Sequence, residues 1–145
     1  MALKLVIDSS VIVKLLNNVD EDHIQQADKI LADALEGKVE LLAPELAKYE
    51  VGNVLLLKKK LSPAEIEFPI QALYNYPIKF ISETEQLAKD TYNLASNAGI
   101  TYYDASFMSL AKQLDATLVT DNIKHQGKAS DIKVLSLSDY STSSE

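Results

Sequence analysis

The sequence predicts an α/β fold in which a mainly parallel central sheet is covered by helices on both faces. Strand-like segments alternate with helical segments along the chain, an order typical of parallel sheets. The first, residues 5–7, is Leu-Val-Ile, and such an uninterrupted apolar run indicates a strand buried on both faces. The chain has 145 residues, 47% of them apolar, and shows no internal repeat or linker, so we expect one domain with a substantial core.

A helix follows the first strand directly, and the junction contains the first candidate functional residue. The strand ends on Asp8, after which Ser9 and Ser10 can cap the apolar helix at 11–16. In open α/β sheets, ligands bind in the crevice beyond the carboxyl ends of the strands. We therefore expect Asp8 to stand in that crevice.

The later elements are recognised from helical periodicity, β-branched runs, and the Gly and Pro residues between them. The predicted helices cover 24–35, 45–60, 63–76, 85–98 and 103–114, and the predicted strands cover 39–43, 78–81, 117–120 and 134–137. Residues 141–145 are a polar tail with nothing to bury.

Capping residues and a proline predict how several of these helices begin. Asp20 or Asp22 can cap the second helix, and residues 62–65 and 82–85 both match the capping box. Pro69 falls inside the fourth predicted helix, where a proline is expected to kink or split it.

Composition excludes several classes of protein. The absence of cysteine excludes disulfides and thiolate metal sites, and the two histidines, His23 and His125, are too few for a histidine-rich zinc site. No secretory signal or ~20-residue apolar run is present, so we expect a cytoplasmic protein with no membrane contact. The net charge of −7, with no arginine, means that binding nucleic acid would need a local lysine patch or a bound metal. Solubility is the ordinary explanation of such a charge.

Four acidic residues far apart in the sequence are predicted to meet at the carboxyl edge of the sheet. Besides Asp8, Glu50 lies in the first turns of its helix, Asp104 begins another, and Asp121, with Asn122, follows the fourth strand. Two carboxylates about 5 Å apart repel by roughly 3 kcal/mol at an effective dielectric constant near 20, so such a cluster favours a bound cation. Oxygen ligands suit Mg²⁺ or Mn²⁺, and these metals support hydrolysis of phosphodiester bonds.

Each acidic residue also has an ordinary structural explanation. Asp8 can simply cap the helix that follows it, and Asp104 can favour a helix start through the macrodipole. Glu50 can be a solvated helical side chain, and Asp121 followed by Asn122 is common turn chemistry. The placement of all four at strand ends and helix starts is what favours a shared site.

Four segments of the chain are informative when taken together and in their order along the sequence. They are VIDSS at 6–10, PELAKYEVGNVL at 44–55, YDASFMSLA at 103–111 and LVTDN at 118–122. Together they resemble a PIN-domain ribonuclease, in particular the toxin of a VapC-type toxin–antitoxin pair. The resemblance implies a three-layer α/β/α sandwich over residues 1–140 and metal-dependent endoribonuclease activity. It also implies an RNA substrate, a homodimer, and a cognate antitoxin with a segment that blocks the crevice.

The resemblance assigns roles to individual residues. Asp8, Glu50 and Asp104 match the three acidic positions that ligate the metal. The side chains implied to support the site by hydrogen bonds are Ser10, Asn53 and Thr120.

The chain departs from the family pattern at the fourth acidic position. The usual order is Thr, any residue, then Asp, whereas here Asn122 takes the third place and Asp121 comes one residue early. Either Asp121 turns into the site or a neutral amide fills the position. We expect Asp121, because it carries charge.

Two other functions fit parts of the sequence. One is a non-catalytic PIN-like module that binds RNA or a protein partner. The other is a phosphoacceptor receiver domain, although the chain lacks an adjacent acidic pair after the first strand. The lysines at 58–60 can contact phosphate or simply end a helix, and Tyr102 or Tyr103 can stack on a base while the other packs in the core.

Overall fold

The computed structural model describes residues 2–121, 123 and 131–141. The strands in these residues are β1 (Leu3–Ile7), β2 (Val39–Pro44), β3 (Ile78–Ile81), β4 (Thr117–Thr120) and β5 (Val134–Ser136). The helices are α1 (Ser9–Leu16), α2 (Ile24–Leu35), α3 (Leu46–Leu57), α4 (Glu67–Asn75), α5 (Glu85–Ala98) and α6 (Tyr102–Leu114), and a short 3-10 helix covers Leu137–Asp139. None of these helices combines the length and the apolar composition that a membrane-spanning segment needs.

The strands form one parallel sheet in the order β3-β2-β1-β4-β5. The chain first extends the sheet on one side of β1 and then returns to extend it on the other, so its direction reverses between β1 and β4. Right-handed crossovers place the helices of the two halves on opposite faces. α1 packs against α2, α3 and α4, whereas α5 packs on α6, and α6 lies against β1, β2 and β4. The three-layer α/β/α prediction is confirmed.

The same strand order contradicts the receiver-domain alternative. Receiver domains belong to the doubly wound folds with the order 2-1-3-4-5, in which the third strand lies next to the first. In this chain β3 is at the edge of the sheet, separated from β1 by β2. The receiver hypothesis is therefore wrong.

The predicted N-cap residues of two helices are wrong, although both helices begin where predicted, at Ile24 and Glu85. The N-cap of α2 is His23, which has a left-handed backbone (φ 60°) and no side-chain cap bond, so neither Asp20 nor Asp22 caps this helix. α5 is capped by the hydroxyl of Thr84 and not by Ser82. In both cases the chain path before the helix, which local sequence does not determine, brings a different residue to the N-cap position.

The capping box at 62–65 forms, but it does not start the long helix that was predicted. The backbone N–H of Ser62 donates to Oε1 of Glu65 (2.8 Å), and the N–H of Glu65 donates to Oγ of Ser62 (3.1 Å). Residues 63–66 are a turn, and α4 begins at Glu67. Pro69 therefore lies in the first turn of α4, where its missing N–H has no intrahelical partner to lose.

The core is centred on β1, whose residues Leu5, Val6 and Ile7 are at most 1% exposed.

At the other end of the described chain, the hydroxyl of Tyr140 donates to Oδ2 of the buried Asp33 on α2 (2.7 Å). Burial and this bond to a carboxylate raise the pKa of Tyr140. The contact attaches the 3-10 helix and the residue that follows it to the rest of the domain.

Candidate active site

The carboxyl edge of the sheet has a crevice where the strand order reverses, between β1 and β4. Asp8 follows β1 directly, and its backbone N–H still pairs with the carbonyl of Val119 in β4 (3.2 Å). Its side chain lies at the base of the crevice, with the residue 6% exposed. Oδ1 accepts from the hydroxyl of Ser10 (2.5 Å), and Oδ2 accepts from the hydroxyl of Thr120 at the end of β4.

Asp8 also caps α1, so the prediction that Ser9 or Ser10 is the N-cap is wrong. The backbone N–H of Val11 donates to Oδ1 of Asp8 at 3.3 Å. The two serine hydroxyls bond to carboxylates of the crevice instead. The capping explanation and the functional explanation of Asp8 are thus compatible, because one carboxylate serves both arrangements.

Glu50, in the second turn of α3, lies beside the start of α1. The hydroxyl of Ser9 donates to Oε1 of Glu50 at 2.6 Å, although the two residues are 41 positions apart. Sequence analysis gave Ser9 only a capping role. The three consecutive polar residues after a buried strand, Asp8 to Ser10, were the available signal, but the partner of Ser9 depends on how α3 packs against α1.

Asp104 lies in the first turn of α6 and is partly exposed. Its backbone N–H donates to the hydroxyl of Thr101, the N-cap of this helix, at 3.0 Å. The free N–H groups and dipole of a helix start favour a negative charge there.

The negative charges of Asp8 and Asp104 both act on Glu50. Burial raises the pKa of Asp8, although the bonds from Ser10 and Thr120 oppose the shift. The pKa of Glu50 is also raised, by burial and by the negative charges of Asp104 and Asp8, while the bond from Ser9 opposes the rise. The charges of Asp8 and Asp104 therefore disfavour the ionised form of Glu50, and a cation near Glu50 would relieve that repulsion.

The side-chain oxygens at this site are chemically suited to a hard divalent cation. They belong to carboxylates and hydroxyls, without nitrogen or sulfur ligands, and Mg²⁺ and Mn²⁺ prefer such oxygen ligands. Among the described residues, no group of three acidic or histidine side chains is spaced closely enough to hold a metal ion. Oxygens of Asp8 and Glu50 instead accept hydrogen bonds from Ser10, Thr120 and Ser9.

Asp121 belongs to a separate ionic network. Its Oδ2 lies 3.1 Å from the ammonium of Lys14, and its Oδ1 lies 3.3 Å from Nδ1 of His23. Lys14 also contacts Glu21 (2.9 Å), which in turn pairs with Lys59 (2.7 Å). Burial disfavours the charged form of Lys14, but its bonds to Glu21 and Asp121 outweigh that effect and raise its pKa.

Two residues predicted to support the site have a different status. Asn53 is exposed on α3 and makes no side-chain hydrogen bond to another described residue. Asn122 lies outside the described residues. The structure therefore places Glu50 within reach of the charges of Asp8 and Asp104, bonds Ser10 and Thr120 to Asp8, and places Asp121 against Lys14.

Comparison with known proteins identifies the family. The sequence profile of the PIN domain matches residues 5–130. The chain belongs to the PIN domain family. It is 33% identical over 123 residues to Ribonuclease VapC3 of Pyrobaculum aerophilum, and the match covers 81% of this chain and 88% of that protein. The profile match over residues 5–130 includes all four segments on which the family resemblance was based.

Solved structures share the fold of this PIN domain. VapBC2 from Rickettsia felis, bound to a DNA fragment from its promoter, aligns with a TM-score of 0.70 at 16% identity, over 92% of this chain and 98% of that one. FitAcB from Neisseria gonorrhoeae aligns with a TM-score of 0.70 at 17% identity, over 94% and 99% of the two chains. A toxin–antitoxin complex from Klebsiella pneumoniae aligns with a TM-score of 0.66 at 17% identity, over 92% and 97%. At these identities the alignments establish the shared architecture.

Proposed function

We propose that this PIN domain is a metal-dependent endoribonuclease and the toxin of a VapC-type toxin–antitoxin pair. The observation that supports it most is the buried Asp8 beside Glu50, whose pKa is raised by burial and by the charges of Asp8 and Asp104. Acidic side chains held in this way at the strand-order reversal are suited to a cation site. The relative named as a ribonuclease, which matches most of the chain, supports the choice of RNA as substrate.

Asp8, Glu50 and Asp104 would hold Mg²⁺ or Mn²⁺, with Asp121 as the candidate for a fourth position. When bound there, such a metal would supply an activated water and would stabilise the charge that develops on the phosphate. Ser10 and Thr120 keep both oxygens of Asp8 in place, and Ser9 orients Glu50. Asp121 can join the site only if its ion pair with Lys14 opens.

The partners and boundaries of the domain follow from the same assignment. A cognate antitoxin is proposed because several structural neighbours are toxin–antitoxin complexes. We also propose a cytoplasmic homodimer, with a PIN domain over residues 1–140 and a short polar tail after it.

The test is cleavage of single-stranded RNA with Mg²⁺ or Mn²⁺, comparing the wild-type protein with Asp8→Asn and with Asp28→Asn. Asp28 is an exposed residue of α2, so its substitution is a matched control for loss of one carboxylate. We expect EDTA and Asp8→Asn to abolish cleavage and Asp28→Asn to leave it unchanged. Cleavage that persists in EDTA, or in the purified Asp8→Asn protein, would refute the proposal.

A catalytically inactive PIN-like module is the second candidate function. The ion pair between Asp121 and Lys14 favours it, because it occupies a carboxylate that a four-ligand site would need. Calorimetry separates the two candidates: absence of Mn²⁺ binding at millimolar metal would favour the inactive module, and binding that Asp8→Asn removes would favour the enzyme.

A further inference from the structure

A small cavity of about 200 Å³ lies beside the acidic residues, between the start of α3, α5 and the start of α6. Its walls include Leu46, Leu87 and the ring of Tyr103. Drug-sized pockets are roughly 300–1,000 Å³, so this cavity suits a single planar ring system.

The cavity adjoins an open hollow that contains one of the proposed metal ligands, Glu50. Leu46 and Tyr103 line both the cavity and this larger hollow of about 580 Å³. Tyr103 directly precedes Asp104 in α6 and is 58% exposed. A strand of RNA whose phosphate lies at Glu50 and Asp104 would therefore pass Tyr103 with its neighbouring nucleotide.

The two aliphatic hydroxyl residues that line the cavity, Thr91 and Ser106, offer it no free donor. The hydroxyl of Thr91 donates to the carbonyl of Leu87 (2.7 Å), and that of Ser106 donates to the carbonyl of Tyr102 (2.8 Å). Both hydroxyl protons are thus used within their own helices. A flat hydrophobic group can enter without leaving these donors unpaired.

The two carboxylates that line the cavity, Glu83 and Glu45, accept hydrogen bonds and repel anions. The hydroxyl of Tyr102 donates to Oε2 of Glu83 at 2.6 Å, and the pKa of Tyr102 is raised to about 12 by burial and by this carboxylate. Oε1 of Glu83 makes no hydrogen bond to another described residue. Glu45 also lines the cavity and pairs with Lys48 at 2.9 Å. These carboxylates disfavour phosphate and can accept N–H groups from a base edge.

We propose that this cavity binds one unpaired nucleobase next to the cleaved bond and selects a base with an exocyclic amino group. The inference rests on the proposed ribonuclease function. The base stacks on Tyr103, and its amino group donates to Glu83. Guanine, cytosine and adenine have such a group at the Watson–Crick edge. Uracil has only its N3–H there, flanked by two carbonyl oxygens that repel a carboxylate.

The experiment measures kcat/KM on short single-stranded RNAs in which each position in turn is varied among the four bases. The wild-type protein is expected to prefer an amino-bearing base over uracil at one position. Tyr103→Ala should lower kcat/KM about tenfold through loss of a stacked base, while Tyr103→Phe should retain activity. Glu83→Gln should weaken the preference, because an amide can also donate to uracil. Tyr92→Ala removes an exposed tyrosine of α5 and is the matched control.

Binding of the same labelled RNAs in EDTA, followed by fluorescence anisotropy, separates this proposal from the ribonuclease proposal. Preferential binding that depends on Tyr103 and Glu83, without cleavage when metal is added, would sustain the base site and refute the nuclease. Cleavage without base preference, or Tyr103→Ala behaving like Tyr92→Ala, would overturn the base site alone. Failure to bind or cleave any RNA would overturn both.

Discussion

Lys14 and Asp121 form a partly buried ion pair at the carboxyl edge of the sheet, 3.1 Å apart, with side chains 3% and 28% exposed. Lys14 comes from α1, and Asp121 follows β4 directly. The pair therefore joins the two halves of the sheet at the point where the strand order reverses. Glu21 and Lys59 extend the network to the loop before α2 and the end of α3.

Removing the ammonium should destabilise the domain. In Lys14→Met the carboxylates of Asp121 and Glu21 lose their shared partner, and loss of one member of a buried pair costs roughly 3–5 kcal/mol. Because both carboxylates are partly exposed, we expect about 3 kcal/mol, the lower end of that range. Urea denaturation measures the change. Lys89→Met, which breaks an exposed ion pair on α5, is the control and should cost less than about 1 kcal/mol.

The ion pair also predicts different roles for two acidic residues in metal binding. Asp104→Asn should weaken Mn²⁺ binding at least tenfold, about the loss seen when even an outer partner of a metal site is removed. Asp121→Asn should lower stability, with a much smaller effect on Mn²⁺ affinity, because both oxygens of Asp121 are engaged by Lys14 and His23. Calorimetric titration measures both affinities. Equal losses in the two variants would instead identify Asp121 as a full ligand.

In the absence of metal, the ionised carboxylate of Glu50 should lower the stability of the folded domain. Burial and the neighbouring charges raise its folded pKa above the ordinary value of 4.5. A raised pKa means that the proton-bound form stabilises the fold at low pH, and that this stability is lost as the pH rises through the folded pKa. At pH 7 in EDTA, Glu50→Gln should therefore have a higher Tm than the wild-type protein.

Metal should reverse the order of these two proteins. A ligand at 100 times its Kd stabilises the folded state by about 2.7 kcal/mol, so saturating Mn²⁺ should raise the Tm of the wild-type protein by several degrees. Glu50→Gln should respond less. A thermal scan with and without Mn²⁺ tests both statements, and an unchanged ranking in the two conditions would contradict the assignment of Glu50 as a ligand.

Thr120 should be required for the position of Asp8. Thr120→Val keeps the shape of the side chain but removes the hydroxyl that donates to Oδ2 of the buried carboxylate. Hydrogen bonds to charged groups are worth about 1.5–3 kcal/mol, so we expect a loss of about 2 kcal/mol in chemical denaturation. Thr120→Ser retains the hydroxyl and should lose much less. Similar losses in both variants would show that packing of the methyl group, and not the hydrogen bond, matters at this position.

Features that depend on neighbouring residues were predictable from the sequence. The apolar run of β1 and the capping box at 62–65 both follow from local backbone preferences and local hydrogen bonds. The alternation of strands and helices then restricts the topology, and this restriction is enough to place Asp8 in the crevice.

Contacts between distant parts of the chain were decided only by the tertiary structure. Sequence alone placed Asp8, Glu50 and Asp104 at one edge of a parallel sheet, because residues after strands and at helix starts meet there. It could not assign Ser9 to Glu50 or Asp121 to Lys14, since these pairs depend on how α3 packs on α1 and on the path of the chain before α2. A carboxylate at a strand end can face a metal or an ammonium, and long-range packing determines which of the two lies within reach.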